Sequence, residues 1–233
     1  MNKKRILGIG VLLSANLTGC SSDKSNQENI MEEENTINKE NTNLSSNLEI
    51  ARSEYIEGEK PVYIDGILLV NKEFGIPKDF ASNPDEEAMS AYRKMKEDAL
   101  DDGIVINIRS GFRSHETQTT LYNNYVARDG LEKASRYSAK PGHSEHETGL
   151  AFDFTTEDTS TSIGDWFTDT PQAKWLFENA HNYGFILRYP EGKEHITGYK
   201  YASWHYRYVG VKHSKNFDMN NLTLEEYLKV VNI

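Results

Sequence analysis

His146 and Asp153 stand seven residues apart with Gly149 between them, and that spacing restricts the local fold more than any other feature of the chain. On a helix, two residues that share one ligand point lie three or four apart, as in His-Glu-x-x-His. A longer gap interrupted by glycine instead predicts a turn that feeds a strand, with the histidine before the strand and the aspartate on it. Gly149 to Phe154 alternates accordingly, sending Leu150 and Phe152 to one face and Ala151 and Asp153 to the other. Further on, Trp204 to Val209 reads as a second strand and offers His205 to the same cavity. Two imidazoles and one carboxylate form a donor set for zinc that leaves a fourth position for water. Taken singly, each residue has a plainer role: His205 as a hydrogen-bonded core histidine, Asp153 as a backbone cap.

The N-terminal part of the chain cannot belong to that fold. Lys3, Lys4 and Arg5 precede an apolar run from Ile6 to Leu13, too short to span a bilayer as a permanent helix. Leu17-Thr18-Gly19-Cys20 follows and holds the only cysteine, so disulfides contribute nothing to stability. The order basic, apolar, small resembles a bacterial lipoprotein signal, which implies removal of residues 1–19 and lipidation of Cys20. Residues 20–55 are rich in Asn, Ser, Glu and Lys and read as a disordered, acidic tether. About thirty flexible residues span roughly 30 Å, enough to lift a domain off a membrane. Removing residues 1–19 takes away three positive charges and no negative ones, moving the net charge from −10 to −13. So acidic a domain is a poor partner for nucleic acid phosphates and for a polybasic type of membrane attachment. The expected location is therefore the extracytoplasmic face of the membrane, held by the lipid on Cys20, as a monomer.

Residues 56–233 remain for one folded domain. Val62-Tyr63-Ile64 and Ile67 to Val70 flank Asp65-Gly66 and predict a hairpin. Ser82 to Glu87 supplies a cap, a proline and acids for a helix whose Ala88, Tyr92, Met95 and Ala99 recur at helical spacing. Ile104 to Ile108 reads as a buried strand, and Thr117 to Ala127 and Leu131 to Tyr137 as helices. Thr170 caps a helix from Pro171 to Tyr183, which Gly184 stops. Phe185 to Arg188 completes the strands, and Leu222 to Val231 closes the chain as a helix. This mixed order predicts a single α+β domain, with a small, mostly antiparallel sheet flanked by helices and the metal site in a cleft.

Residues 104–209 resemble the zinc carboxypeptidases of the VanY type, which include D-alanyl-D-alanine carboxypeptidases and related L,D-carboxypeptidases of bacterial cell walls. The resemblance rests on Ser110-Gly111-Phe112-Arg113-Ser114, Gln118, Ser144 to Asp153, Tyr183 to Pro190, Ile196-Thr197-Gly198-Tyr199 and Trp204 to Gly210. It implies that His146, Asp153 and His205 bind one zinc ion. It also implies a C-terminal D-alanine of a peptidoglycan stem peptide as ligand. Arg113 would hold the terminal carboxylate or the developing oxyanion, with Gln118 and Ser144 lining the cleft. His115, His143, His181, His195 and His213 have no counterpart in that ligand set.

Two adjacent positions depart from the family. Where its members carry Glu-Pro-Trp-His, this chain reads Ala202-Ser203-Trp204-His205. The family glutamate moves a proton from water to the leaving amine, and a methyl group cannot. Three explanations compete: a peptide-binding pseudoenzyme, a deliberate inactivating change, or a carboxylate from elsewhere, such as Glu191 or Glu194. Ser203 argues against the second, because it departs from the family proline as well. The sequence leaves open whether a D,D or an L,D bond is the target, and cleavage inside cross-links is a third reaction to test.

Overall fold

Period-two alternation in short strands sorts this domain into an apolar layer and a polar one that carries the site. The computed structural model describes residues 47–217 and 221–231. The expected signal segment 1–19, Cys20 and residues 21–46 of the expected tether lie outside the described residues. In order, the elements are α1 (residues 47–54), β1 (Val62–Ile64), β2 (Ile67–Leu69), α2 (Glu86–Asp101), β3 (Asn107–Ser110), α3 (His115–Asp129) and α4 (Leu131–Ser135). They continue with β4 (Ala151–Thr155), α5 (Pro171–Asn179), β5 (Phe185–Leu187), α6 (Glu194–Thr197), β6 (His205–Tyr208), α7 (Val211–Ser214) and α8 (Leu224–Tyr227). An antiparallel sheet of order β3-β4-β6-β5 and a separate β1-β2 hairpin give the α+β domain that the sequence predicts. Among the described residues, no helix is long and apolar enough to cross a membrane.

Strand register places the functional face. Asp153 of β4 lies opposite His205 of β6, Phe152 opposite Tyr206, and Ala151 opposite Arg207. Phe152, Phe154, Tyr206, Tyr208 and Phe185 therefore share one face and pack with Tyr92, Met95 and Ala99 of α2 and Leu176 of α5. Asp153, His205 and Arg207 share the other face. Slipping β6 by one residue would turn Tyr206 and Tyr208 toward the site and His205 and Arg207 into the core. An irregularity between Ile108 and Ser110 of β3 then sets Ser110 opposite Asp153, at the mouth of the Arg113 loop.

Several boundaries differ from the sequence expectations, each for a local reason. Within the stretch expected as tether, residues 47–54 instead form α1 and bury Leu48 and Ala51 against the hairpin, Phe74 and α8. Those two residues and Tyr55 recur three and four apart, an apolar stripe hidden among Asn, Ser and Glu. Helix α2 is capped by Asp85, whose carboxylate accepts from Ala88 N at 2.9 Å, and Pro84 stands before the cap. The strand expected from Ile104 pairs only from Asn107, while Ile106 is buried in the core. The C-terminal helix shrinks to α8 because Lys229 adopts φ 55, a left-handed stop. In the hairpin, Asp65 (φ 50) and Gly66 (φ 79) are both left-handed, as the predicted turn requires.

Gly149 joins the site to α2. It has φ 76, and an added Cβ would lie 2.6 Å from Asn83 O and 2.9 Å from Asp85 N. Both neighbours are backbone, and Asp85 N donates to Gly149 O at 3.0 Å. Gly149→Ala is therefore expected to destabilise the domain by about 1–3 kcal/mol in urea unfolding. A loss below about 0.5 kcal/mol, the size of an ordinary surface change, would contradict this reading of the turn.

Candidate metal centre

A single 3-10 turn, Glu145–Thr148, delivers His146 to the start of β4, and register delivers His205 to Asp153. His146 Nε2 lies 3.2 Å from Asp153 Oδ2, and His205 Nδ1 lies 2.9 Å from Asp153 Oδ1. All three residues are buried, and one donor atom from each falls within 4.8 Å of the others. Donors bound tetrahedrally at about 2.0–2.2 Å stand somewhat over 3 Å apart, so this set fits one divalent ion. His146 Nδ1 donates to Gly111 O at 2.8 Å, which leaves Nε2 as the free lone pair facing Asp153. The three residues singled out by spacing thus meet at one point.

Electrostatics favour the protonation state a ligand needs at His146 and Asp153 and oppose it at His205. Burial pushes the His146 pKa down, toward the neutral imidazole. Burial alone would raise the pKa of Asp153, but His146 and His205 beside it hold it well below the carboxylate range. Burial also opposes charge on His205, yet its hydrogen bonds to Asp153 and Glu145 raise its pKa overall. A cation entering between these groups would displace that proton.

Arg113 is fixed from three sides. Its backbone N–H donates to His146 O at 3.1 Å, tying its loop to the ligand turn. Its guanidinium donates to Gln118 Oε1 at 2.6 Å and to Ser110 Oγ at 3.0 Å. Gln118 is in turn held by donating to Ala139 O at 2.6 Å, so its role here is to aim Arg113. Burial lowers the Arg113 pKa and the nearby Asp153 opposes that shift. Ser144 is buried beside the ligand turn. Arg113, Gln118, Ser144, the three candidate ligands and Ala202 all line one cleft of about 690 Å³.

Ala202, where the resemblance leads one to expect a glutamate, is pinned through its backbone on both sides. Its N–H donates to Tyr189 O at 3.2 Å, and its carbonyl accepts from His205 N at 3.1 Å. Among the described residues, the cleft-lining carboxylates are Asp129, Glu145 and Asp153. Asp129 is bound by Arg128 and the Tyr137 hydroxyl, and Glu145 by Arg188 and Arg207. Glu191 and Glu194, weighed above as substitutes, do not line the cleft, and Glu194 is paired with Arg136 at 2.6 Å. None of the five other histidines lines it either.

Sequence reading missed the layer beneath the ligands. Arg188 and Arg207 are among the largest fully buried side chains, and both donate to Glu145. Tyr189 stacks on His205 with ring centroids 4.8 Å apart. The one available signal was arginine set inside apolar or aromatic strand words, Ile-Leu-Arg-Tyr and His-Tyr-Arg-Tyr.

The family model described as "VanY: D-alanyl-D-alanine carboxypeptidase" matches residues 82–211. The chain is 33% identical to YodJ of Bacillus subtilis, across 97% of the chain and 92% of that protein. It resembles the structure of the LdcB LD-carboxypeptidase, reported for peptidoglycan recognition, at 42% identity and TM-score 0.63, covering 71% of this chain and 87% of that one. It also resembles a glutamate-to-alanine mutant of the vancomycin-resistance D,D-pentapeptidase VanY in complex with Zn(II). That match has 32% identity and TM-score 0.60, over 69% and 97% of the two chains.

Proposed function

This chain belongs to the VanY family of D-alanyl-D-alanine carboxypeptidases, and on that premise we propose that its cleft binds one zinc ion and the C-terminal D-alanine end of peptidoglycan stem peptides. His146 Nε2, the Asp153 carboxylate and His205 Nδ1 hold the ion. When bound, zinc supplies a Lewis acid and an activated water. Arg113, aimed by Gln118, receives the terminal carboxylate or the oxyanion that forms at the scissile carbonyl, and Ser144 lines the same cleft. The convergence of the three buried donors carries this reading.

Ala202 limits the chemistry. No side chain at that position accepts a proton from water or returns one to the leaving amine, a loss that typically costs about 10²- to 10⁴-fold in rate. The other cleft carboxylates are engaged in hydrogen bonds or at the metal site, which favours a second reading: a non-catalytic module that binds or senses wall peptides. Incubating the zinc-loaded protein with a stem pentapeptide and a tetrapeptide and weighing the products separates the two. Slow D-alanine release supports the carboxypeptidase, and the peptide that is shortened identifies a D,D or an L,D bond. Binding with no release supports the sensing module. Failure to bind either peptide contradicts both, and cleavage within cross-linked material would reassign the protein as an endopeptidase. Lipidation of Cys20 would place this domain on the outer face of the cell membrane, which mass analysis of the membrane-extracted protein tests.

A further inference from the structure

The carboxylate of Glu145 lies behind His205, on the side away from Asp153. Its Oε2 is 3.4 Å from His205 Nε2, while His205 Nδ1 is 2.9 Å from Asp153. Glu145 is fully shielded from solvent, and its other oxygen accepts from Arg188 Nε at 2.8 Å and Arg207 Nη1 at 2.7 Å. Both arginines are anchored in turn. Arg207 donates to Leu68 O at 2.7 Å, and Arg188 donates to both oxygens of Glu225 at 2.6 and 2.9 Å.

We propose that Glu145 is a positioning residue for the metal site: held in place by Arg188 and Arg207, it accepts the Nε2 proton of His205 and so presents Nδ1, unprotonated, to the ion. The inference rests on the zinc reading above and goes beyond it, because Glu145, held by its two arginines, acts through His205. Its chemistry follows from the geometry. Both nitrogens of His205 face a carboxylate, but a cation held by Asp153 takes the place of a proton on Nδ1, so the one N–H of the neutral imidazole stays on Nε2, beside Glu145. A carboxylate behind a ligating histidine fixes the tautomer and ring orientation, and losing such a partner typically weakens metal binding by about 10- to 100-fold. The two guanidiniums have a second effect: they hold Glu145 back from the ion, so a fourth protein ligand does not close the position that water needs. The two histidines are thereby set in opposite senses. His146 ligates through Nε2 with Nδ1 donating to a backbone carbonyl, and His205 ligates through Nδ1 with Nε2 donating to a carboxylate.

Glu145→Gln retains the shape but cannot serve both sides. If its amide oxygen faces the imidazole, its NH₂ meets guanidinium donors; if it flips, it presents NH₂ to Nε2–H. Zinc affinity of the full chain, measured by chelator competition, is expected to fall about 10- to 100-fold. The visible spectrum of the cobalt-loaded variant should change as well. Glu225→Gln loosens the same buried network one step further out, at Arg188, and is expected to lower stability while leaving zinc affinity and the cobalt spectrum unchanged. Equal zinc affinity in Glu145→Gln and the parent chain would overturn the proposal. So would an equal loss in Glu225→Gln, which would mark a general loosening of the domain. Imidazole nitrogen NMR of the zinc-loaded parent chain tests the claim even if Glu145→Gln does not fold. A proton on His205 Nε2 and a bare Nδ1 are expected, and the reverse pattern overturns it. A parent chain that binds no zinc would remove the zinc reading as well, and so is distinguishable from failure at Glu145 alone.

Discussion

Ala202→Glu is expected to raise D-alanine release by about 10²- to 10⁴-fold while leaving zinc content unchanged. The backbone at 202 is already pinned, through Tyr189 O on one side and His205 N on the other, and the residue lines the cleft that holds the candidate ligands. A carboxylate grafted there needs no rearrangement of its own main chain. The remaining parts, three donors and an aimed guanidinium, are in place. Since each 1.36 kcal/mol of barrier is tenfold in rate, the gain corresponds to about 3–5 kcal/mol. The product-mass assay reads it directly. An unchanged rate in a zinc-loaded variant would show that Ala202 is not what limits turnover, and the cleft would then have to be a binding site with another reason for inertness.

Arg188→Ala is expected to be the most destabilising single change, at about 3–5 kcal/mol in urea unfolding. Arg188 is wholly buried and bridges Glu145, the first residue of the turn that carries His146, to Glu225 of α8. Removing it leaves Glu225, among the described residues, with Asn71 Nδ2 at 3.2 Å as its one side-chain donor, and leaves Glu145 with Arg207 alone of its two arginines. Buried charge without a partner costs far more than the intact pair contributes. Domains of this kind hold only about 5–15 kcal/mol in total, so the variant would sit near its unfolding threshold. Replacing Arg188 with Met fills the volume but leaves the same two carboxylates, and should be nearly as harmful. A loss under about 1 kcal/mol for Arg188→Ala would mean that water reaches the network and screens it.

The convergence of the three candidate donors was legible because its logic is local. Seven residues, one glycine and one strand fix where His146 and Asp153 point, and the aromatic alternation of His205-Tyr206-Arg207-Tyr208 fixes which face carries the second imidazole. Helix α2 was legible for the same reason, through Ala88, Tyr92, Met95 and Ala99. What escaped was set by partners distant in sequence. Glu145 reads as one more acid in a polar turn until Arg188 and Arg207, 43 and 62 residues away, close over it. Helix α1 has too few apolar residues to announce itself, and only its docking on the hairpin and α8 makes Leu48 and Ala51 core residues. The short α8 likewise owes its end to one left-handed backbone angle at Lys229, a residue type that gives no warning of it.

Zinc content is the most direct measurement. Elemental analysis after dialysis against trace zinc should find one ion per chain in the parent protein, and none in His146→Ala or His205→Ala variants that remain folded by circular dichroism. A parent chain free of divalent metal, or folded variants that keep the full ion, would contradict the proposal that residues 146, 153 and 205 form the metal centre.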